Sequence, residues 1–432
     1  KQERWDTSQL LPAITSKHYQ TYYQELETWV EQFITNKQQL TSTITPEELL
    51  QILQQLEKIE ERSSILGNYS YLWYSEDTNN QQARAYKEKI TKQLTELGNK
   101  LLYFTLWIKN LDEKNAQRII KALPTDYQYF LEEIRIIKPY TLEEREEQII
   151  NYKDNTGTTA LNQLYDMITS NFTYTLTINN KKKTLTREEL SNYIRSTNPT
   201  IRKQAYDVLA KKYEEHQDVL GEIYKNIVND WETESITIRK HPHSMHPRHL
   251  GNHIDEEAIT TMLNVIRTNN ETFQNYFKLK AKMIGMKKLR RYDLYAPIKR
   301  KEKNYQWNEA VHLVLDSYQQ FSPTMAAHAK KILDEHHVDS LINKGKMTGA
   351  YCMDLIPGIT PYVLINYTGK TRDVTTLAHE LGHGVHDLLT HKHNGFVSHP
   401  PLILAETASI FGEMIITEKL LEQATPEEQT TI

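Results

Sequence analysis

The chain has 432 residues, with 52 Lys and Arg against 56 Asp and Glu, a net charge of −4, 38% hydrophobic and 25% charged residues. Such a length buries a large core and normally makes two or more domains. No run approaches the ~20 apolar residues of a membrane span, and the single Cys352 excludes an internal disulfide framework and favours a reducing, cytoplasmic setting, with a packed thiol rather than a nucleophile.

No signal peptide is visible at Lys1-Gln2-Glu3-Arg4. Residues 1–165 read as helices: Tyr19, Tyr22, Tyr23, Leu26, Trp29, Val30 and Phe33 recur at helical spacing. Thr45-Pro46-Glu47-Glu48 is a capping box with Pro at the first helical position, which predicts a helix through Leu56; Thr141-Leu142-Glu143-Glu144 predicts another. The aromatics Tyr69, Tyr71, Trp73, Tyr74, Tyr103, Phe104 and Trp107 are expected as core between helices rather than as the lining of a peptide cleft. This lobe is expected to form one wall of a channel.

Between 171 and 186 the period changes. Phe172, Tyr174, Leu176 and Ile178 alternate with Thr173, Thr175 and Thr177, Asn179-Asn180 signals a turn, and Leu185 follows on a second arm, so a β-hairpin is predicted. Thr186-Arg187-Glu188-Glu189 caps the next helix, and the division into lobes 1–186 and 187–432 is placed here.

Helices resume from 187 to 340. His241-Pro242-His243-Ser244-Met245-His246-Pro247-Arg248-His249 is dense in histidine, but two prolines oppose a regular helix and no known ligand spacing appears. It reads as a loop rather than a metal site. The basic run from Lys278 to Lys303, with Lys287, Lys288, Arg290, Arg291, Arg300 and Lys301, reads as a solvated surface; the whole chain is acidic and carries no nucleic-acid module.

Between 345 and 372, Gly345, Gly349 and Pro357-Gly358 bracket short segments. Tyr362-Val363-Leu364-Ile365-Asn366-Tyr367 has strand composition. As an exposed strand it would take an extended peptide by β-augmentation; otherwise it is an interior strand of a small sheet.

Thr375-Thr376-Leu377-Ala378-His379-Glu380-Leu381-Gly382-His383 carries His-Glu-x-x-His. On a helix, residues four apart share a face, about 6 Å apart along the axis, so His379 and His383 can point two imidazoles at one ion. Glu380 can reach the open side of that ion and take a proton from a bound water, the arrangement of a zinc peptidase. Leu377, Ala378, Leu381, Val385, Leu388 and Leu389 give the helix an apolar face, and Gly382, which weakens a helix, implies close approach by another backbone or by substrate.

A catalytic zinc usually has three protein ligands. Position 389 is Leu, so a third His six residues after the second is absent. Lys392-His393-Asn394-Gly395 reads as a helix stop and Pro400-Pro401 as the start of a second helix, which would bring Glu406 opposite the two histidines. Glu413, two turns on, would accept a free ring N–H of a liganding His. Ala405, Ala408 and Gly412 permit close helix packing. His391, His393 and His399 are rival ligands in the loop.

On these residues the chain resembles the oligoendopeptidase F branch of the thimet-oligopeptidase-like zinc metallopeptidases. The resemblance rests on His379-Glu380-Leu381-Gly382-His383 with His386, on Glu406-Thr407-Ala408-Ser409 with Glu413, and on Gly345-Lys346-Met347-Thr348-Gly349-Ala350-Tyr351, Pro361-Tyr362-Val363-Leu364-Ile365-Asn366-Tyr367 and Tyr292-Asp293-Leu294-Tyr295-Ala296-Pro297. It runs through most of the chain, from Trp5-Asp6 onward. It implies that His379, His383 and Glu406 hold Zn2+, that Glu380 is the general base, that Glu413 and His386 support the ligands, and that Gly349, Ala350, Tyr351 and Tyr362 contact substrate. Members of that branch carry a further segment whose His and Tyr residues bind the oxyanion. No counterpart is found before Ile432; the chain stops just after Ala424-Thr425-Pro426-Glu427-Glu428, itself a helix start, and begins at Lys1 without Met, so a trimmed or partial chain is expected.

The expected architecture is therefore mainly α: a two-lobed helical zincin with a small β-sheet beside the metal-binding helix and a deep peptide channel. The expected function is zinc-dependent endopeptidase action on internal bonds of short unstructured peptides, without nucleic-acid or membrane partners. Two rivals remain: a peptide-binding protein that keeps the metal site but is catalytically impaired, and an aminopeptidase, for which no carboxylate cluster toward a free amine is recognised.

Overall fold

The computed structural model describes residues 2–11, 17–298 and 303–429; Arg300 and Lys301 of the basic run, and the chain ends Lys1 and Ile432, lie outside them. The capping box at Thr45 forms as its residues predict. Thr45 Oγ1 accepts the Glu48 N–H at 3.2 Å and Glu48 Oε2 accepts the Thr45 N–H at 2.9 Å. The helix it opens does not stop at Leu56. Between α1 (Lys17–Ile34) and α3 (Gln81–Asn110), α2 runs Pro46–Glu76, because Leu49, Ile52, Leu53, Leu56, Ile59, Leu66 and Leu72 continue one buried stripe.

These helices, with α4 (Glu113–Ile120) and α5 (Thr125–Ile136), enclose a core that includes Leu26, Phe33, Leu53, Phe104 and Leu131. Tyr69, Tyr103 and Phe104 are buried in it, with Trp73 and Trp107 packed against it, as core rather than channel lining. Next come α6 (Glu144–Thr156) and α7 (Thr158–Ser170). The cap of α6 is Glu143 rather than Thr141: Glu146 Oε2 accepts the Glu143 N–H at 3.1 Å.

The predicted hairpin pairs β1 (Tyr174–Ile178) with β2 (Lys181–Leu185), Ile178 opposite Lys181. Asn179 and Asn180 take φ of 50° and 61°, which a two-residue turn joining twisted strands requires. Phe172, Tyr174, Leu176 and Leu185 share a core with Leu190 and Ile194 of α8 (Arg187–Ile194) and Ala205 of α9 (Pro199–Glu214), so packing continues across position 186.

Then follow α10 (Gln217–Glu232), extended by a π-helical stretch over Thr233–Ile238, α11 (His246–Gly251), α12 (Glu256–Thr268) and α13 (Asn270–Met283). The histidine-dense stretch is thus partly helical. Pro247 sits in the first turn of α11, where its missing N–H costs nothing.

The C-terminal part contains α14 (Trp307–Phe321), α15 (Pro323–Asp334), β3 (Val338–Asp339), β4 (Ala350–Met353), β5 (Tyr362–Ile365), α16 (Thr371–Thr390), α17 (Leu402–Gln423) and α18 (Pro426–Gln429). The sheet order is β3-β5-β4, with β3 parallel and β4 antiparallel to β5. β5 is therefore the central strand, and the reading of 362–367 as an exposed peptide-binding strand is corrected. Tyr362 and Leu364 point into the N-terminal core, whereas Val363 and Ile365 point into a second core with Val374, Leu377 and Leu381. An unbroken apolar run is what a strand buried on both faces needs.

Lys346 closes the loop before β4: its buried Nζ lies 2.6 Å from Asp339 Oδ1 and donates to three carbonyls, of Asp339, Leu341 and Ile365. Among the described residues no helix is long and apolar enough to cross a membrane.

Candidate metal centre and cleft

Asp373 Oδ2 anchors the start of α16 by accepting the N–H groups of Thr368 at 2.8 Å and Lys370 at 3.1 Å. The apolar stripe Leu377, Ala378, Leu381 and Val385 is buried, and the register it sets turns His379 and His383 to a second face. Their rings lie 4.9 Å apart between centroids with planes at 84°. α17 crosses α16 in the opposite direction. A Cβ on Gly382 would meet Ala408 O at 2.9 Å and Ser409 Cα at 3.0 Å, and one on Gly412 would meet Ala378 O at 2.7 Å. The close approach foreseen at Gly382 is thus by another backbone. Glycines there let the axes approach until Glu406 reaches the imidazoles.

Glu406 Oε2 lies 3.4 Å from His379 Nε2 and 3.8 Å from His383 Nε2, and one donor atom from each of the three residues falls within 4.8 Å of the others. Tetrahedral zinc with bonds of about 2.0–2.2 Å needs ligand atoms roughly 3.3–3.5 Å apart, so the donor set fits such an ion with small side-chain adjustment. Ser409 Oγ donates to Glu406 Oε2 at 2.9 Å. Glu413 Oε1 lies 3.5 Å from His379 Nδ1, the ring nitrogen on the side away from Glu406. Burial, then the neighbouring His379, lowers the pKa of His383 and favours the neutral ligating form. His386, one turn beyond, has a buried Nδ1 without a hydrogen-bond partner among the described residues.

Glu380 is 5% exposed. Burial first, then the charges of Glu406 and Glu413, raise its pKa to about 8, against the opposing Cys352 N–H of β4. It lies at the wall of a cleft of about 700 Å³ together with His379, Glu413, Gly349 and Ala350. Two expected substrate contacts do not reach this cleft. Tyr362 is fully buried, stacked on His337 at 3.9 Å with its hydroxyl on Asp6 O at 3.1 Å. Tyr351 packs against Trp5 and Tyr71 in the N-terminal core. Strand alternation sends it to the face opposite Ala350 and Cys352.

The rival histidines are engaged elsewhere: His391 Nε2 lies 3.0 Å and His399 Nδ1 3.4 Å from Asp354, and His393 Nδ1 lies 3.0 Å from Asp126. The cleft is also lined by Arg187, Arg195, Arg291 and Arg372 and by Tyr165, Tyr206, Tyr213, Tyr292 and Tyr295, a lining the sequence does not signal. These residues come from several separate segments and follow no spacing rule: Arg187 stands in a helix cap, Arg291 in the basic run, and Tyr292 and Tyr295 in a segment of family resemblance, none of which signals a common cleft.

A sequence profile described as Peptidase family M3 matches residues 192–432, more than half of the chain. The chain belongs to that family. A second profile, described as Oligopeptidase F, matches residues 107–174, in line with the oligoendopeptidase F branch of this metallopeptidase family. Among relatives, the chain is 25% identical over 387 residues to oligopeptidase PepF of Bacillus subtilis, covering 88% of this chain and 58% of that protein. It is 27% identical over 384 residues to an oligoendopeptidase F homolog of Borreliella burgdorferi, covering 87% and 62%. The chain thus spans about three-fifths of the length of these relatives. Among solved structures, PZ peptidase A with inhibitor 2 superposes with a TM-score of 0.76 at 15% identity, over 92% of this chain and 69% of that one. Oligoendopeptidase-F from Enterococcus faecium gives 0.65 at 18% identity, over 95% and 68%. At such identities the two structures show a common fold.

Proposed function

We propose that this M3 chain is a zinc-dependent endopeptidase for short, unstructured peptides, with His379, His383 and Glu406 as the zinc ligands and Glu380 as general base. The observation that carries this reading is the convergence of those three donors beside a buried carboxylate that opens on a cleft. When bound, zinc supplies Lewis acidity toward the scissile carbonyl and lowers the pKa of a water. The chain's own residues do the rest. Glu380 takes the proton of the attacking water and delivers it to the departing amine. Glu413 and Ser409 orient His379 and Glu406.

An extended peptide is proposed to lie along β4, the edge strand beside Glu380, with Gly349 and Ala350 at the cleft, rather than along the interior β5. Main-chain pairing there binds any sequence, which suits an oligopeptidase. We keep the division at 186 as a proposed division of labour, the ligands and Glu380 all lying after it. The names of the relatives agree with peptide substrates.

The test is cleavage of blocked, internally quenched peptides by the 432-residue chain, with and without chelator. Chelator-sensitive cleavage absent from Glu380→Gln establishes the reading. Zinc bound at this centre without cleavage would favour a peptide-binding protein instead. Zinc content unchanged in Glu406→Ala would remove Glu406 from the ligand set.

A further inference from the structure

We propose that His243, His249 and Glu256 form a second zinc site, separate from the centre at His379 and structural in role. The three residues come from one short stretch: the turn before α11, α11 itself, and the first turn of α12. One donor atom from each lies within 4.8 Å of the others. His243 Nε2 and Glu256 Oε2 are 3.1 Å apart, and the rings of His243 and His249 are 5.6 Å apart between centroids. Two imidazoles and one carboxylate are the donor set of the centre at 379, 383 and 406, and they suit zinc rather than calcium or magnesium, which prefer oxygen ligands.

A second observation points to an ion. His249 is 9% exposed, and its Nδ1 is buried with no hydrogen-bond partner among the described residues. A ring nitrogen buried in that way is costly unless something engages it.

The surrounding backbone is also held in advance. Trp231 Nε1 donates to Ser244 O at 3.0 Å, Tyr140 stacks on His241 at 3.8 Å, and His253 Nε2 lies 2.5 Å from Glu133 Oε2. An ion would therefore lock the link between α10 and α12 where it meets α5 and the Tyr140 turn. The lining of the catalytic cleft does not include these ligands.

The experiment is zinc stoichiometry by equilibrium dialysis at micromolar zinc, for the unmodified 432-residue chain, for His379→Ala, and for His379→Ala combined with His243→Gln and Glu256→Gln. The expected zinc contents are two, one and none per chain. Zinc should also raise the thermal midpoint of His379→Ala but not of the triple variant. His243 and Glu256 are partly or largely exposed, so carboxamides there leave folding intact, which circular dichroism checks. The proposal is overturned if His379→Ala binds no zinc at micromolar concentration, or if the triple variant binds as much as His379→Ala. Failure of the catalytic reading looks different: the unmodified chain and His379→Ala would then carry equal zinc.

Discussion

Ser409 Oγ, fully buried between α16 and α17, donates to Glu406 Oε2, the oxygen that faces both His379 and His383. The hydroxyl fixes which carboxylate rotamer meets the imidazoles. Ser409→Ala should therefore weaken zinc binding at this centre roughly 10–100-fold while leaving the fold intact. Competition with a chromophoric chelator measures it; an unchanged affinity would mean that Glu406 orients itself.

Gly382→Ala separates helix propensity from packing. Alanine should gain about 1 kcal/mol as a helix former, yet its Cβ would meet Ala408 O at 2.9 Å and Ser409 Cα at 3.0 Å, both backbone atoms. Net destabilisation of roughly 1–3 kcal/mol is expected from overpacking, with weaker zinc binding as α17 is pushed away. Urea unfolding of the metal-free chain and a zinc titration test the two parts. A gain in stability would show that the helices can part freely.

Asp387 gives a pH dependence. Burial, then the nearby Asp354, raises its pKa from 3.8 to about 8. A raised carboxylate pKa means that, between about pH 4 and 8, the folded chain keeps a proton the unfolded chain has released. Stability therefore falls as pH rises through that window, and the loss is complete above the folded value. Asp387→Asn should be near neutral at pH 4 and stabilising by a few kcal/mol at pH 8. Glu380, also raised to about 8, adds to the same slope in the metal-free chain. Urea midpoints at pH 4, 6 and 8 in the presence of chelator decide the matter; equal midpoint shifts for Asp387→Asn at all three would contradict it.

Lys346 and Asp339 are each almost fully buried and 2.6 Å apart. Lys346→Met strands the Asp339 carboxylate and should cost roughly 3–5 kcal/mol. Adding Asp339→Asn should recover a large part of that loss. A double variant no more stable than the single one would mean that the carbonyl bonds of Lys346, rather than the ion pair, hold the loop.

Most features that depend on neighbours along the chain are legible in the sequence, although the Thr141 cap forms two residues later at Glu143 and the helix opened at Thr45 runs on past Leu56. The Thr45 and Thr186 caps, the Asn179-Asn180 turn and the four-residue spacing of His379 and His383 all follow from short-range geometry. Glu406 and Glu413 could be named because α16 and α17 are consecutive, and the small residues between them marked the contact.

Errors arose where a segment has two possible partners. Tyr362–Ile365 reads equally as an exposed or an interior strand, and only the cores on its two sides choose the latter. The resemblance implies substrate contacts at Tyr351 and Tyr362, whereas the alternation of the sheet turns both into the N-terminal core.

The mainly helical architecture, the family resemblance and the donor residues proposed for the metal centre are legible in the residues alone, since they rest on helical period, on local motifs and on spacing within one helical hairpin. Which strand borders the cleft, that four arginines and five tyrosines line it together with Glu380, and that His243, His249 and Glu256 converge are settled only by the tertiary structure. The convergence of the two histidines with Glu256 depends on how the irregular backbone before α12 turns, and the other two facts on how distant segments meet. That is set by the burial of apolar faces against one another, to which no spacing rule along the chain corresponds.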